Sequence, residues 1–240
     1  MLARIKTSFR YRLRRLVYPV ALLDREILAR HFISGEGIEI GGLHHPTRVK
    51  ARVRYVDRLP DDGLSEHYPE RGETTVHVDI VDDAQTLSTV ADASQDFLIA
   101  NHVLEHCRDP LTALRNWFRV VRDGGTIFMA LPDKRRTFDR EREVTPLAHL
   151  AAHVEGTADD WPHYVDYARH VRLAPEAEVE AKARELAEQD YSIHFHVWTQ
   201  REMVEMIEDA RRRFDLRFDY AAVLEHGEET VFVLRKGAAG

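Results

Sequence analysis

The sequence predicts an α/β fold with a mainly parallel sheet of seven strands, the last of them antiparallel. Apolar, β-branched stretches of strand length alternate with stretches of helical periodicity, which is typical of parallel sheets with right-handed crossovers. The first predicted strand runs directly into the pair Gly41-Gly42, a tight turn of the kind at which such sheets bind nucleotides. A helical insertion is expected after the fifth strand.

Composition describes an ordinary globular chain. Its 240 residues, 44% hydrophobic and 31% charged, suffice for one large α/β domain with an insertion. The formal net charge of -7 argues against nucleic acid as a partner. Cys107 is the single cysteine and rules out an intrachain disulfide, which suits a reducing compartment, so we expect a cytoplasmic protein.

Residues 1–32 are predicted to form a basic N-terminal helical segment. Arginine and lysine outnumber acidic residues there, and apolar residues recur at roughly helical spacing. The apolar run 16–23 contains Pro19 and no small-residue cleavage site, and it is shorter than the ~20 residues that a bilayer span needs. Two alternatives stay open: the segment packs on the domain with its arginines solvated, or it contacts an anionic membrane surface.

Residues 33–132 are predicted to form the core of the fold. Its strands are expected at residues 37–40, 52–57, 74–80, 95–101 and 126–132. Between the last two strands, Asp109 is suited to cap a helix and Pro110 to occupy its first position. The run Asp123-Gly124-Gly125 is expected to end that helix.

The remaining chain divides into an insertion and a C-terminal part. Residues 133–197 are too long for a plain loop, and helices are predicted there at 146–154 and 175–189, so we expect a helical lid over an acceptor site. Residues 198–240 are expected to complete the core. Thr199 should cap a helix, and strands at 214–223 and 229–234 should form an antiparallel hairpin.

Two acidic residues stand at the ends of predicted strands. Glu39 lies in an otherwise apolar strand, where burial is costly, so it should have a positive or hydroxyl-bearing partner. Asp57 ends the second strand, the position at which nucleotide-binding sheets place an acid that accepts hydrogen bonds from ribose hydroxyls.

The order and spacing of these motifs resemble the class I S-adenosylmethionine-dependent methyltransferases, in particular the small-molecule type with a methyltransferase-11-like core. The most specific part runs from Asp96 to His106, continues through Asp109-Pro110 and ends at 119–125. The resemblance covers roughly residues 37–132. It implies a Rossmann-like, doubly wound sheet and S-adenosylmethionine as the cofactor.

The resemblance also implies roles for individual residues around that cofactor. These are the loop around its methionine part (Glu39, Gly41, Gly42), the ribose acid (Asp57), the adenine-reading pair (Asp83, Ala84), and the lining of the methionine and sulfonium (Asn101, His102). The sequence departs from the family at Leu43, where the last glycine of the loop is usual, and this bears on how closely the backbone wraps the cofactor.

Four histidines are candidates for a catalytic base, since a hydroxyl acceptor must lose a proton and histidine titrates near neutral pH. They are His102, His106, His194 and His196. The last two alternate along an extended segment and should therefore share a side facing the acceptor, with Trp198 as a wall. Such a pair could also bind zinc or iron, but without a third fixed ligand we expect no metal.

The sequence thus predicts methyl transfer from S-adenosylmethionine to an oxygen or nitrogen of a small-molecule or glycan-type acceptor. A glycan is suggested because relatives with this core often accompany glycosyltransferases in surface-polysaccharide biosynthesis. One alternative is a non-catalytic S-adenosylmethionine-binding module. Another is a nicotinamide-dependent oxidoreductase, which would need Gly-x-Gly-x-x-Gly in place of Gly41-Gly42. No Asn-Pro-Pro-Tyr-like loop, as in nucleic-acid methyltransferases, follows the fourth strand. Nothing in the sequence indicates an oligomeric state.

Overall fold

The computed structural model describes residues 24–42, 45–67 and 76–238. These residues contain one sheet with seven strands. The strands are β1 Glu36–Ile40, β2 Arg52–Asp57, β3 Ile80–Val81, β4 Gln95–Asn101, β5 Val121–Pro132, β6 Phe218–His226 and β7 Glu229–Lys236. Their order is β3-β2-β1-β4-β5-β7-β6, and β7 is antiparallel to both neighbours while the other pairs are parallel. The predicted fold class is confirmed.

Helices connect these strands and pack on both faces of the sheet. They are α1 Arg25–Phe32, α2 Asp61–His67, α3 Pro110–Val120, α4 Leu147–Val154, α5 Trp161–His170, α6 Val179–Glu188 and α7 Gln200–Arg213. Asp109 caps α3 as predicted, since its Oδ1 accepts a hydrogen bond from the Thr112 amide at 2.9 Å. Thr199 caps α7 in a capping box with Glu202.

The apolar residues form two layers, one on each face of the sheet. Neighbouring residues of β4 point to opposite faces, so that Leu98 joins the layer under α3 and α7, whereas Phe97 joins the layer under α1. Burial on both faces explains why the central strands are apolar throughout rather than alternating. A third cluster, centred on Tyr164, Leu186 and Phe195, lies within the insertion.

Several element boundaries differ from the sequence prediction. The third strand is only Ile80–Val81, because residues 76–79 are irregular. The helix α3 ends at Val120, so the pair Gly124-Gly125 lies within β5 and does not end the helix. Glycine is required there because a Cβ on Gly125 would lie 2.5 Å from the Val121 side chain and 2.8 Å from the Asp96 carbonyl oxygen.

The insertion and the C-terminal hairpin also differ in detail. The helix α5 was not predicted, since its residues Trp-Pro-His-Tyr-Val-Asp-Tyr are rich in aromatic types with weak helix propensity. The strand β6 begins at Phe218, four residues later than expected, because Phe214 still belongs to the C-cap of α7. The proposed domain boundaries at residues 32, 132 and 197 stay predictions.

Most of the basic N-terminal segment lies outside the described residues. The structure shows only its last part, where Asp24 caps α1 and its Oδ1 accepts a hydrogen bond from the Ile27 amide at 2.8 Å. The predicted membrane contact of residues 1–32 stays a prediction, and residues 1–23 of this segment lie outside the described residues. Among the helices of residues 24–42, 45–67 and 76–238, none is long and apolar enough to cross a membrane.

Candidate active site

A cavity of about 1650 Å³ lies at the carboxyl ends of β1, β2 and β4. The strands β1 and β4 are neighbours at the point where the strand order reverses, which is where open α/β sheets bind their ligands. Single ligand pockets are usually about 300–1,000 Å³, so this cavity can hold two small molecules side by side. All eight residues predicted to contact the cofactor line it: Glu39, Gly41, Gly42, Asp57, Asp83, Ala84, Asn101 and His102.

The turn after β1 brings the backbone to the cavity. Gly41 has a φ of +64°, a conformation that side-chain-bearing residues rarely adopt, and its amide donates to the Val56 carbonyl at 3.0 Å. A Cβ on Gly42 would lie 2.9 Å from the Tyr55 ring. Leu43 lies outside the described residues, so its influence on the loop stays a prediction.

Glu39 is buried at the end of this strand with 1% of its surface exposed. Its predicted hydroxyl partner is Thr47, whose Oγ1 donates to Oε1 at 2.7 Å and whose amide donates to both carboxylate oxygens at 3.0 and 3.1 Å. Burial raises the pKa of Glu39, although the Thr47 bonds and the charge of Arg25 partly offset this.

Thr47 also connects Glu39 to Asn101. Asn101 Nδ2 donates to Thr47 Oγ1 at 2.9 Å, while Asn101 Oδ1 is buried and accepts no hydrogen bond from the described residues. An unpaired acceptor of this kind on a cavity wall suits a ligand that carries a donor, such as an ammonium group.

Two further acids stand on the cavity wall. Asp57 lies at the carboxyl end of β2, where its Oδ1 accepts a hydrogen bond from the Arg58 amide at 2.8 Å. Asp83 fixes the turn after β3, since its Oδ1 accepts from the Gln85 amide at 2.8 Å. The neighbouring Ala84 is held by Trp117, whose Nε1 donates to the Ala84 carbonyl at 2.8 Å.

His102 follows β4 with a φ of +55° and is held between two acids. Its Nε2 lies 2.7 Å from Glu229 Oε2, and its Nδ1 lies 3.6 Å from Glu105 Oε1. Arg25 also pairs with Glu229, at 2.8 Å. Burial lowers the pKa of His102, but the Glu229 hydrogen bond and the Glu105 charge outweigh it, so the pKa lies above the usual value.

His194 lies on the cavity wall formed by the insertion. Its Nδ1 is 2.6 Å from Asp139 Oδ2, and Arg142 Nη1 holds both partners, donating to Asp139 Oδ1 at 2.8 Å and to the His194 carbonyl at 2.9 Å. Burial would raise the pKa of Asp139, yet the His194 and Arg142 interactions hold it below its ordinary value. The ionised Asp139 therefore fixes the imidazole by Nδ1.

Glu105 and His106 lie next to His194, and His106 lines the cavity while Glu105 is buried behind it. The Glu105 carboxylate is fully buried, lacks a hydrogen-bond partner among the described residues and lies 3.9 Å from His194 Nε2; burial raises its pKa. His106 Nδ1 lies 2.8 Å from the Ile193 carbonyl, which can only accept, so Nδ1 carries the proton. The His106 and His194 rings meet edge to face at 4.8 Å.

The expected orientation of His196 is corrected by the structure. His196 is 1% exposed and does not line the cavity; its Nε2 lies 2.9 Å from the Arg108 carbonyl, and its ring stacks on Trp198 at 5.6 Å. Regular alternation fails because this segment is not a strand, and the amides of Phe195 and His196 both point to the Glu105 carbonyl. Trp198 likewise lies in the core rather than on the cavity wall.

Sequence reasoning missed three residues that hold the site together, namely Thr47, Glu105 and Asp139. Glu105 lies within the motif that carries the resemblance, and Asp139 lies in the insertion, but the sequence assigned neither residue a role. A weak signal existed for Asp139, because an acid three residues before an arginine can pair with it where the chain turns, and Asp139 and Arg142 do so at 2.8 Å.

Comparisons with known proteins agree with this geometry. Residues 35–129 match the family described as "Methyltransferase domain". A solved structure from Thermotoga maritima, named as a SAM-dependent methyltransferase and possible histamine N-methyltransferase, is 16% identical, with a TM-score of 0.50 over 96% of this chain and 97% of that one. Another, from Rhodobacter sphaeroides and named for Zn-dependent alcohol dehydrogenases, is 12% identical, with a TM-score of 0.54 over 89% of each chain. At these identities both show the fold alone. No curated protein matches the chain.

The described residues fit S-adenosylmethionine. A glycine at positive φ leaves the backbone open, Asn101 Oδ1 offers an unpaired acceptor, and Asp57 stands at the strand end expected for a ribose acid. Residues 35–129 thus form a methyltransferase domain, and S-adenosylmethionine is the cofactor that this domain implies.

Proposed function

We propose that the protein methylates an oxygen or nitrogen of a small-molecule or glycan-type acceptor, with His194 as the general base. The observation that carries this proposal is that His194, on the wall of the cavity that also contains the glycine turn, pairs at 2.6 Å with the buried Asp139. The cavity is large enough to place an acceptor beside the cofactor.

The acceptor side of the cavity is aromatic with a few polar groups. Phe138, Tyr167, Tyr191 and Phe195 line it together with Arg108, whose guanidinium lies 4.6 Å from the centre of the Phe195 ring. Aromatic walls with isolated polar groups are typical of sites that bind small organic molecules. These residues belong to the insertion or face it, which supports the expected role of residues 133–197 in acceptor binding.

The chain's own residues would act as follows. Bound S-adenosylmethionine supplies an electrophilic methyl group. Asp139 accepts a hydrogen bond from Nδ1–H of His194, so Nε2 has the lone pair that takes the proton of an acceptor hydroxyl. Asp139 and the Glu105 carboxyl, 3.9 Å from Nε2, then stabilise the imidazolium.

Two of the alternatives lead to different observations. A binding module without activity has no need for a histidine paired with a carboxylate, so the His194–Asp139 pair favours catalysis. An oxidoreductase would bind a nicotinamide dinucleotide, but only two glycines are present at the turn, Gly41 and Gly42.

The test is an acceptor screen with methyl-labelled S-adenosylmethionine. Purified protein is incubated with panels of phenols, amines, monosaccharides and oligosaccharides, and label transfer is counted. On the acceptor found, His194→Ala should lower kcat by about 10²–10⁴-fold at an unchanged Kd for the cofactor. Asp139→Asn should also lower kcat and alter its pH profile.

His31→Ala is the matched control, because His31 is exposed on α1 and does not line the cavity. Unchanged turnover in His194→Ala would remove this residue from the mechanism. Cofactor binding without turnover on any acceptor would favour the non-catalytic module.

A further inference from the structure

Four histidines converge inside the insertion, away from the residues that line the cofactor cavity. His149 and His153 are one turn apart on α4, His163 lies in the first turn of α5, and His196 lies in the segment before α7. The Nε2 atom of His149 lies 2.7 Å from Nε2 of His163 and 3.1 Å from Nε2 of His153. A ring nitrogen of His196 lies within 4.8 Å of nitrogens of His149 and His163.

Hydrogen bonds among these rings cannot satisfy all of their nitrogens. An imidazole nitrogen of a neutral histidine has either one proton or one lone pair. The Nε2 atom of His149 can therefore form one good hydrogen bond, with either His163 or His153 but not with both. In the other close contact, either no proton or two protons lie between the two facing nitrogens. A cation between the nitrogens would pair with every lone pair.

The protonation of His196 is fixed by its surroundings. Its Nε2 lies 2.9 Å from the Arg108 carbonyl, which only accepts, so Nε2 carries the proton and Nδ1 is a lone pair. That Nδ1 atom is buried, with no hydrogen-bond partner in the part of the chain that the structure describes. A histidine that binds a metal usually donates its other N–H to a backbone carbonyl in this way.

Asp160 stands next to the four rings. Its Oδ2 pairs with Arg108, whereas its Oδ1 is buried, lies 3.7 Å from His153 Nε2 and has no hydrogen-bond partner among the described residues. A carboxylate oxygen of Asp160 and nitrogens of His153 and His163 also lie within 4.8 Å of one another. An oxygen ligand is therefore available to the same site.

We propose that His149, His153, His163 and His196 bind one divalent transition-metal ion, with zinc as the first candidate. The ligand atoms are Nε2 of the first three residues and Nδ1 of His196, and Asp160 Oδ1 is available as a further oxygen ligand. Two nitrogens held about 2.0–2.1 Å from one tetrahedral zinc ion are about 3.3 Å apart. The observed separations of 2.7 and 3.1 Å need to widen by about 0.6 and 0.2 Å to reach this distance.

The ion has a structural role in this proposal. Its ligands come from α4, from α5 and from the segment that carries His194, so one ion ties three parts of the insertion together. None of the four histidines lines the cofactor cavity. The site stands independently of the proposed base, and its loss should leave cofactor affinity unchanged.

The test measures the metal directly in the full chain. Protein freed of metal with a chelator is titrated with Zn²⁺ against a competing chelator, with Co²⁺ as a second probe whose visible absorption distinguishes four-coordinate from six-coordinate binding. We expect one ion per chain, a four- or five-coordinate Co²⁺ spectrum and a midpoint of thermal unfolding several degrees higher with Zn²⁺.

Ligand variants locate the ion. His149→Ala and His163→Ala should each lower zinc affinity by more than about 100-fold, because even changes to residues behind the ligands cost about 10–100-fold. His170→Ala is the matched control: it removes a histidine from the same helix as His163, outside the cluster.

Three outcomes would overturn the proposal. They are wild-type protein that binds no stoichiometric Zn²⁺ at micromolar concentration, retention of the ion by a His149→Ala/His163→Ala double variant, and loss of the ion in Glu105→Gln. The last result would place the metal instead at Glu105, His106 and His194, whose ligand atoms also lie within 4.8 Å of one another. Metal content of the wild-type protein decides the question even if a variant fails to fold.

Discussion

Thr47 links Glu39 and Asn101 in the cofactor site, and Thr47→Val isolates the contribution of its hydroxyl to stability. Valine keeps the shape but removes the hydroxyl that donates to Glu39 at 2.7 Å and accepts from Asn101 at 2.9 Å. A hydrogen bond to a charged group contributes about 1.5–3 kcal/mol, and a buried donor left unpaired costs about 1–3 kcal/mol. Because Asn101 is only half-buried, we expect the free energy of unfolding to fall by about 2–4 kcal/mol.

Urea unfolding with linear extrapolation measures this loss. Thr47→Ser is the matched control, since serine keeps the hydroxyl and loses one methyl group, about 0.8 kcal/mol. The valine variant should also bind S-adenosylmethionine more weakly than the serine variant, because Glu39 and Asn101 both line the cavity. Equal unfolding free energies for the two variants would refute the assignment of the Thr47 hydroxyl as the link between Glu39 and Asn101.

Two further predictions concern the turn and the histidine after β4. Gly41→Ala and Gly124→Ala both force a Cβ into a positive φ, +64° and +75°, at about 1 kcal/mol each. Only Gly41→Ala should weaken cofactor binding in calorimetry. Equal cofactor affinities of the two variants would contradict a contact between the glycine turn and the cofactor. His102 should titrate above its usual pKa of about 6.5 in NMR, and Glu229→Gln should lower that pKa. Since the folded pKa exceeds the unfolded one, the pairing stabilises the fold fully below about pH 6.5 and is lost as pH rises through the folded pKa. The difference in unfolding free energy between wild type and Glu229→Gln should thus fall by about 1 kcal/mol from pH 6 to pH 9. This figure is modest because 39% of the His102 side chain is exposed. A difference that does not change with pH would contradict the pairing.

Local signals account for the parts of the fold that the sequence predicted. Asp109 caps α3 through an amide only three residues away, and the glycine turn directly follows its strand. Such features depend on neighbours in the chain and can be read without the tertiary structure. The mainly parallel sheet of seven strands was also predicted, because alternating helices and strands favour parallel pairing.

Long-range partners account for what was not predicted. Asp139 meets His194 across 55 residues, and His196 meets Arg108 across 88. Neither separation along the chain produces a periodic pattern in the sequence. The rule that alternate residues of an extended segment share a side therefore predicted the wrong neighbours for His196. The spacing of His149 and His153, four residues apart on one helix, was the readable hint of a metal site, but its partners come from other segments.

The most direct test of the central claim is calorimetric titration of the protein with S-adenosylmethionine and, separately, with NADH, repeated on Asp57→Ala. We predict that S-adenosylmethionine binds at one site per chain, that NADH does not bind, and that the variant loses most of the affinity, because the resemblance assigns the ribose to Asp57. Binding of NADH alone, or no binding of S-adenosylmethionine, would contradict the account.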